Sequence, residues 1–224
     1  MSEAVNPKRA YESPRRREQA AATRRAILEA ARRLFERQGF AATKMADVAS
    51  EAGVALKTVY SAFDTKSGVL RALWNMLLRG DEDDVPVMQR EWYREVLAEP
   101  DPERQLRLNA RNARAVKERI APVLDVIRHA APLDPETALL WERIQSDFYE
   151  NQAAIVRSLQ AKGALAPGLD VTRGSDILWT LNHPDLWQLL VAQRGWTPAQ
   201  WEHWFGDTTC AQLLSAGPAD ASGS

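Results

Sequence analysis

The sequence is poor in the residues that build most catalytic and covalent sites. It holds one cysteine, Cys210, so no intramolecular disulfide can form and a reducing compartment fits. Its three histidines, His129, His183 and His203, stand far apart without metal-ligand spacing, and no metal site is expected. The acidic run Asp81 to Asp84 lacks the spread of ligands that a calcium loop needs and reads as a solvated turn. A nucleophile–base set and a glycine-rich phosphate loop are both missing. The expectation is therefore a protein with no catalytic residues and no cofactor, not an enzyme. No stretch approaches the roughly 18 uninterrupted apolar residues of a membrane helix. The N-terminus has no apolar run of the kind that signal peptides carry. A cytoplasmic protein without membrane contact is expected. Alternating strand patterns bounded by turn signals are also absent, which leaves an all-α fold.

What is present is divided unevenly. Over 224 residues the formal net charge is only -1, but residues 1–70 carry 13 Lys+Arg against 8 Asp+Glu. Residues 71–224 carry 16 against 22, and all eight tryptophans lie there. A basic, aromatic-poor front and an acidic, aromatic-rich back predict two parts, the first facing a polyanion. The boundaries expected are a disordered basic arm over 1–19, a basic domain over 20–66 that faces the polyanion, a larger acidic domain over 67–215, and a frayed tail over 216–224.

Helical periodicity runs through both parts. Ile27, Ala30, Ala31, Leu34 and Phe35 fall on one face of a helix that begins near Thr23 and stops at Gly39. Thr43 is a candidate cap for a second helix with Met45, Val48, Ala49 and Ala52 inward. Gly53 ends that helix, a third runs from Ala55 or Leu56 to Phe63, and Thr65 can cap a fourth. Later helices are predicted near 85–98, 102–118, 122–131, 135–162, 171–182, 184–194 and 197–214. Prolines sit near most of their starts, with Asp101, Asp134 and Thr197 as caps.

Two short helices about a Gly53 turn form a helix-turn-helix pattern, in which the first helix crosses the DNA backbone and the second enters the major groove. With Val59 and Phe63 inward, the outward residues of the second are Leu56, Lys57, Thr58, Tyr60 and Ser61. Lys57 can donate to guanine O6/N7 or to a phosphate, and Leu56 can lie on a thymine methyl. Thr58 and Tyr60 offer hydroxyls to phosphate oxygens. Lys66 adds a cation at the next helix start, and Lys44 completes the set of DNA-binding candidates.

At these residues a resemblance emerges. Ile27-Leu28-Glu29-Ala30-Ala31, Leu34-Phe35, Gly39-Phe40, Ala42-Thr43, Asp47-Val48-Ala49, Ala52-Gly53-Val54, Thr58-Val59-Tyr60, Phe63 and Lys66 resemble the DNA-binding domain of the TetR/AcrR family of bacterial transcription regulators. The resemblance implies a homodimer, a palindromic operator and a C-terminal ligand domain. It implies that Thr43, Thr58, Tyr60 and Lys66 touch the DNA backbone, with Leu56, Lys57 and Ser61 nearest the bases. Repression is the family default. Three residues depart from the pattern: Ala55 replaces a capping Ser or Thr, Asp64 a Pro or small polar residue, and Gly68 a better helix former.

The back half carries aromatic residues on several helices, in the pattern of a bundle core that could also hold a small-molecule effector. Trp92, Trp141, Phe148, Tyr149 and Trp179 are the apolar candidates for that site, and Asn109, Arg128, His129 and Asn182 the polar ones. Residues 171–214 hold more apolar faces than one layer needs, which predicts a homodimer interface there. The expected partners are double-stranded DNA, a second copy of the chain, and an apolar or amphipathic effector that releases the DNA. Helix 66–79 is expected to link the DNA-binding part to the regulatory core.

Overall fold

The computed structural model describes residues 14–79 and 87–215. The expected arm before residue 14, the acidic turn at Asp81 to Asp84 and the tail after 215 lie outside the described residues. Among those described, the fold is helical, with no strand and only an isolated antiparallel bridge between Leu165 and Leu214. None of the helices is long and apolar enough to cross a membrane. The chain divides into two compact units, Met1–Leu73 and Trp74–Ser224. The division falls inside the fourth helix rather than at its start, where the sequence reading puts it.

The first unit contains α1 (Pro14–Ala42), α2 (Met45–Glu51), α3 (Leu56–Phe63) and the first part of α4 (Lys66–Arg79). α1 begins nine residues ahead of the expected Thr23 and takes in residues assigned to the arm. Pro14 opens it, and the following Arg, Glu, Gln and Ala residues are strong helix formers without an interior breaker. Its stripe of Ile27, Ala30, Ala31, Leu34 and Phe35 is buried as the spacing predicts. Helical backbone fails at Gly39 (φ 76°), and Phe40 turns back to stack on Phe35 with centroids 5.9 Å apart. The cap of α2 is Lys44, not Thr43; its N–H donates to Asp47 Oδ2 at 3.2 Å. Gly53 takes φ 67°, the left-handed conformation that closes the turn, and the Val54 N–H reaches back to Ala49 O.

The second unit holds the rest of α4, then α5 (Glu91–Ala98), α6 (Pro102–Ala130), α7 (Pro135–Ala161), α8 (Val171–Leu181), α9 (Pro184–Trp187, continuing as a wide π turn to Gln193) and α10 (Pro198–Leu213). Asp101, Asp134 and Thr197 cap α6, α7 and α10, and Asp170 caps α8 in the same way. α6 is continuous where the sequence reading breaks it before Pro122. A mid-helix proline costs about 3 kcal/mol. Here its ring faces solvent, while Ile120, Val123, Leu124 and Ile127 on the opposite stripe are buried and offset that cost. α6 packs on α10, α7 and α5, and α7 packs on α8. Leu106, Ile155, Leu159, Leu178, Trp201, Phe205 and Leu213 form the core between them. Leu178, Trp201 and Leu213, expected at a subunit interface, therefore point into their own subunit. Arg107 bridges to Asp207 at 2.9 Å and Arg114 to Glu202 at 2.9 Å, fixing the register of α6 on α10.

Candidate nucleic-acid interface

α3 is an eight-residue helix, too short to persist alone, and its position is set by packing. Val59 and Phe63 are buried on its inner face. Arg24 of α1 places its guanidinium 4.2 Å over the Phe63 ring and donates from Nη1 to Ala62 O at 2.9 Å. That contact satisfies a carbonyl at the C-terminal end of α3 and puts a cation where the helix dipole is negative. With its inner face and end fastened, α3 presents Leu56, Lys57, Tyr60 and Ser61 outward. Leu56 is 42% exposed and Tyr60 49% exposed, high values for such large side chains, and Thr58 is half-buried beside them. Lys44 is exposed ahead of α2.

The N-terminal turns of α1 run beside this face. An open cleft of about 820 Å³ is lined by Arg15, Arg16, Gln19, Thr23 and Arg24 from α1 and by Lys57, Thr58 and Ser61 from α3. No carboxylate lines it. Arg15, Arg16, Gln19, Thr23 and Arg24 are absent from the sequence-derived candidates because that segment reads as an arm. The signal that could have found them is the unbroken helix-forming run from residue 14 onward.

Two of the expected DNA contacts, Thr43 and Lys66, make hydrogen bonds within the first unit. Thr43 is only 1% exposed; its Oγ1 donates to Gly39 O at 2.8 Å and accepts from Gln38 Nε2 at 3.4 Å. Its hydroxyl ties the start of α2 back to the end of α1. Lys66 Nζ donates to Phe40 O at 2.7 Å and Thr43 O at 3.0 Å, and lies 4.1 Å from the Phe40 ring centroid. The ammonium thus clamps two carbonyls across 26 and 23 residues of sequence, a long-range contact that periodicity cannot show. The three departures from the family pattern also acquire a geometry. Ala55 caps α3 without a side-chain hydrogen bond. Asp64 stands at φ 62°, a left-handed position uncommon for a residue with a side chain. A Cβ at Gly68 would lie 2.2 Å from Phe63 O.

In the second unit, the effector candidates separate into two groups. Arg128 pairs with Asp125 and Asp185 on the surface, and the His129 side chain is 70% exposed. Trp92 and Trp141 are half-buried; Trp92 meets Tyr93 edge-on at 5.9 Å. Asn109 is buried, and its Nδ2 has no hydrogen-bond partner among the described residues. Phe148, Tyr149, Trp179 and Asn182 lie on the packed pair α7 and α8 or directly after it. Tyr149 Oη donates to Asp176 Oδ1 at 3.0 Å, and that bond holds the phenol proton and raises its pKa. Trp179 lies 6.5 Å from Tyr149 and 4.9 Å from His183, centroid to centroid.

The residue that ties this group together is Lys117, which the sequence reading passes over. It is 6% exposed on α6; its Nζ donates to Asn182 O at 2.7 Å and sits 5.5 Å from Phe148 and 5.2 Å from Trp201. Burial pushes its pKa down to about 7. Burial also lowers that of His183, with Lys117 and Arg128 adding to the effect and Asp185 opposing it. Asn182 Nδ2 donates to Gln152 Oε1 at 3.2 Å. The sequence does hold a signal for Lys117: it falls on the α6 stripe between Ala113 and Ile120, a charged residue at an apolar position.

Residues 27–73 match the family described as bacterial regulatory proteins, tetR family. The chain is 28% identical over 167 residues to a probable HTH-type transcriptional regulator, ArpR of Pseudomonas putida, covering 72% of this chain and 77% of that one. Its fold is similar to that of SmeT in a triclosan complex, with TM-score 0.69, 20% identity, and 88% and 93% of the two chains covered. It is similar too to NalD of Pseudomonas aeruginosa, described as the secondary repressor of the MexAB-OprM multidrug efflux pump, with TM-score 0.67, 24% identity, and 88% and 98% covered. The matched span takes in α2 and α3 with the exposed outer face of α3, so residues 27–73 carry the segment that the tetR family of bacterial regulatory proteins has in common, and the chain as a whole is similar in fold to these proteins.

Proposed function

We propose that this regulator is a repressor that binds a palindromic operator as a homodimer and leaves it when a small apolar or amphipathic molecule occupies the second unit. The observation that carries the DNA half is the outer face of α3, where Leu56, Lys57, Tyr60 and Ser61 stand clear of the fold beside a cleft lined by cations. Leu56, Lys57 and Ser61 are assigned to base edges, Thr58 and Tyr60 to the backbone, and Arg15 and Arg16 to flanking phosphates. Two recognition helices in successive major grooves would lie about 34–36 Å apart.

Dimerisation is assigned to residues 171–214. Supporting it, Leu189 is 46% exposed, and Ile177, Leu181, Leu186, Leu190 and Trp204 are only partly covered within their own subunit. The effector half draws support from the triclosan complex of SmeT and from the unsatisfied polar groups between the helices of the second unit. α4 passes from one unit into the other, so an effector that prefers one conformation of the second unit would bias the spacing of the recognition helices.

The test is binding to the DNA upstream of the protein's own gene at several salt concentrations, with wild type, Lys57→Ala and Tyr60→Ala. Wild type is expected to lose affinity steeply with salt, by about a thousandfold or more between 50 and 200 mM for a six-phosphate contact. Tyr60→Ala should weaken all sequences about equally, by about tenfold, and Lys57→Ala should also relax sequence preference. Wild-type affinity in both variants, or no binding at low salt, would remove the assignment.

A further inference from the structure

Lys117 is a buried cation without a carboxylate. Its ammonium donates to one neutral carbonyl, Asn182 O, and faces the rings of Phe148 and Trp201. Among the described residues it has no ion pair; the nearby carboxylate of Asp185 is engaged by Arg128, and burial alone accounts for the lowered pKa of Lys117. Buried charges are ordinarily paired, because removing an ion from water costs several kcal/mol. Two of the residues it touches hold buried polar atoms without hydrogen-bond partners among the described residues, Asn182 Oδ1 and Trp201 Nε1; Gln145 Oε1 on α7 and Trp179 Nε1 on α8 are two more in the same unit. Buried polar groups are satisfied in about nine cases of ten, so several unsatisfied ones in one region point to a missing partner.

We infer that Lys117 is the anchor of the effector site and that the effector is a flat apolar molecule carrying one carboxylate. The carboxylate pairs with Lys117 Nζ, replacing a weak cation–π environment with a charge-assisted hydrogen bond. One of its oxygens is a fitting acceptor for the free Trp201 N–H. The apolar body lies against Phe148 and the edge-on pair Trp187 and Trp201, whose centroids are 5.1 Å apart. Asn182 Oδ1 accepts from a hydroxyl or N–H on the ligand. This inference deepens the effector reading above and rests on it for its regulatory meaning, but the binding itself is independent of DNA.

The experiment compares 2-naphthoate with its neutral relative 2-naphthamide by calorimetry near pH 6.5, using the full chain, Lys117→Met and Lys117→Gln. Helical circular dichroism and DNA binding verify that both variants fold. In wild type the acid is expected to bind at least about tenfold tighter than the amide. The ratio should fall to near one in both variants, although glutamine retains a hydrogen-bond donor. Equal affinities in wild type, no binding of either probe up to about 1 mM, or an acid preference that survives in both variants would overturn the anchor. A separate measurement decides the regulatory reading: if naphthoate binds through Lys117 but operator occupancy is unchanged, the anchor stands and effector-driven release falls.

Discussion

Gly68→Ala is expected to destabilise the DNA-binding unit by about 3 kcal/mol or more, the opposite sign from what helix propensity alone gives. In an open helix position alanine is better than glycine by roughly 1 kcal/mol. At position 68 the added Cβ would stand 2.2 Å from the carbonyl oxygen of Phe63 and 3.3 Å from Thr65 Oγ1, which already accepts from the Gly68 N–H. The backbone oxygen cannot rotate away as a side-chain tip can. Relief requires opening the turn between α3 and α4, where Asp64 is already held at φ 62°. Opening it would disturb Phe63, on which Arg24 rests, and Lys66, which clamps Phe40 and Thr43. Both the packing of α3 and its angle would suffer, so DNA affinity should fall with stability. Denaturant titration of wild type and variant checks this: a change of less than about 0.5 kcal/mol, or a gain, would show that the turn is looser than described.

Lys117→Met is expected to act in the other direction, raising stability by about 2 kcal/mol near pH 7. The lysine's pKa drops from its ordinary value to about 7 because burial disfavours the ammonium. Methionine has a similar reach and no charge to bury, and the gain is partly offset by the lost bond to Asn182 O. Above the folded pKa of about 7 the unfolded chain still binds a proton that the native chain releases, so the wild type gains stability as pH rises toward 10. The advantage of the variant should therefore be widest at or below pH 7 and shrink by about 1.4 kcal/mol per pH unit above it. His183, Asp185 and Arg128 belong to the same neighbourhood and are common to both proteins, so the difference between the two pH profiles isolates Lys117. A variant that is less stable than wild type at pH 7, or a difference that does not change with pH, would mean that the ammonium is better solvated than its burial indicates. A residue kept at such a cost to stability is of the kind retained for binding.

The parts of the fold legible in the sequence are those governed by local rules. The α1 stripe, the Gly53 turn, the inward Val59 and Phe63, and the caps Asp101, Asp134 and Thr197 follow from periodicity and capping chemistry, and all lie where the structure has them. The exposed edge of α3 follows by subtraction: once Val59 and Phe63 are assigned inward, Leu56, Lys57, Tyr60 and Ser61 must face out. Long-range contacts were not legible. The bonds from Lys66 to the carbonyls of Phe40 and Thr43 span 26 and 23 residues, beyond the reach of any local rule. Thr43 reads as a cap until it is seen bonded back to Gly39. Pro122 reads as a boundary because proline chemistry is local, whereas the buried stripe that carries α6 through it is tertiary. Gly68 reads as a weak helix former because the approach of Phe63 O arises only from folding. Among the effector candidates, the surface positions of Arg128 and His129 follow from tertiary packing that residue chemistry does not show, and Lys117 has a signal, a charge on an apolar stripe, that composition and motif matching pass over.

Acetylation of the lysines with and without saturating operator duplex, read residue by residue by mass spectrometry, tests most directly whether the edge of α3 meets DNA. Lys57, and Lys44 with it, should react readily in the free protein and become at least about tenfold slower in the complex, in keeping with charge pairing to phosphate or guanine. Lys66, clamped on two carbonyls, and the buried Lys117 should react slowly in both states. Lys162, in the second unit, should be indifferent to the duplex. Equal labelling of Lys57 in the free and saturated protein would contradict the assignment of α3 as the reading helix.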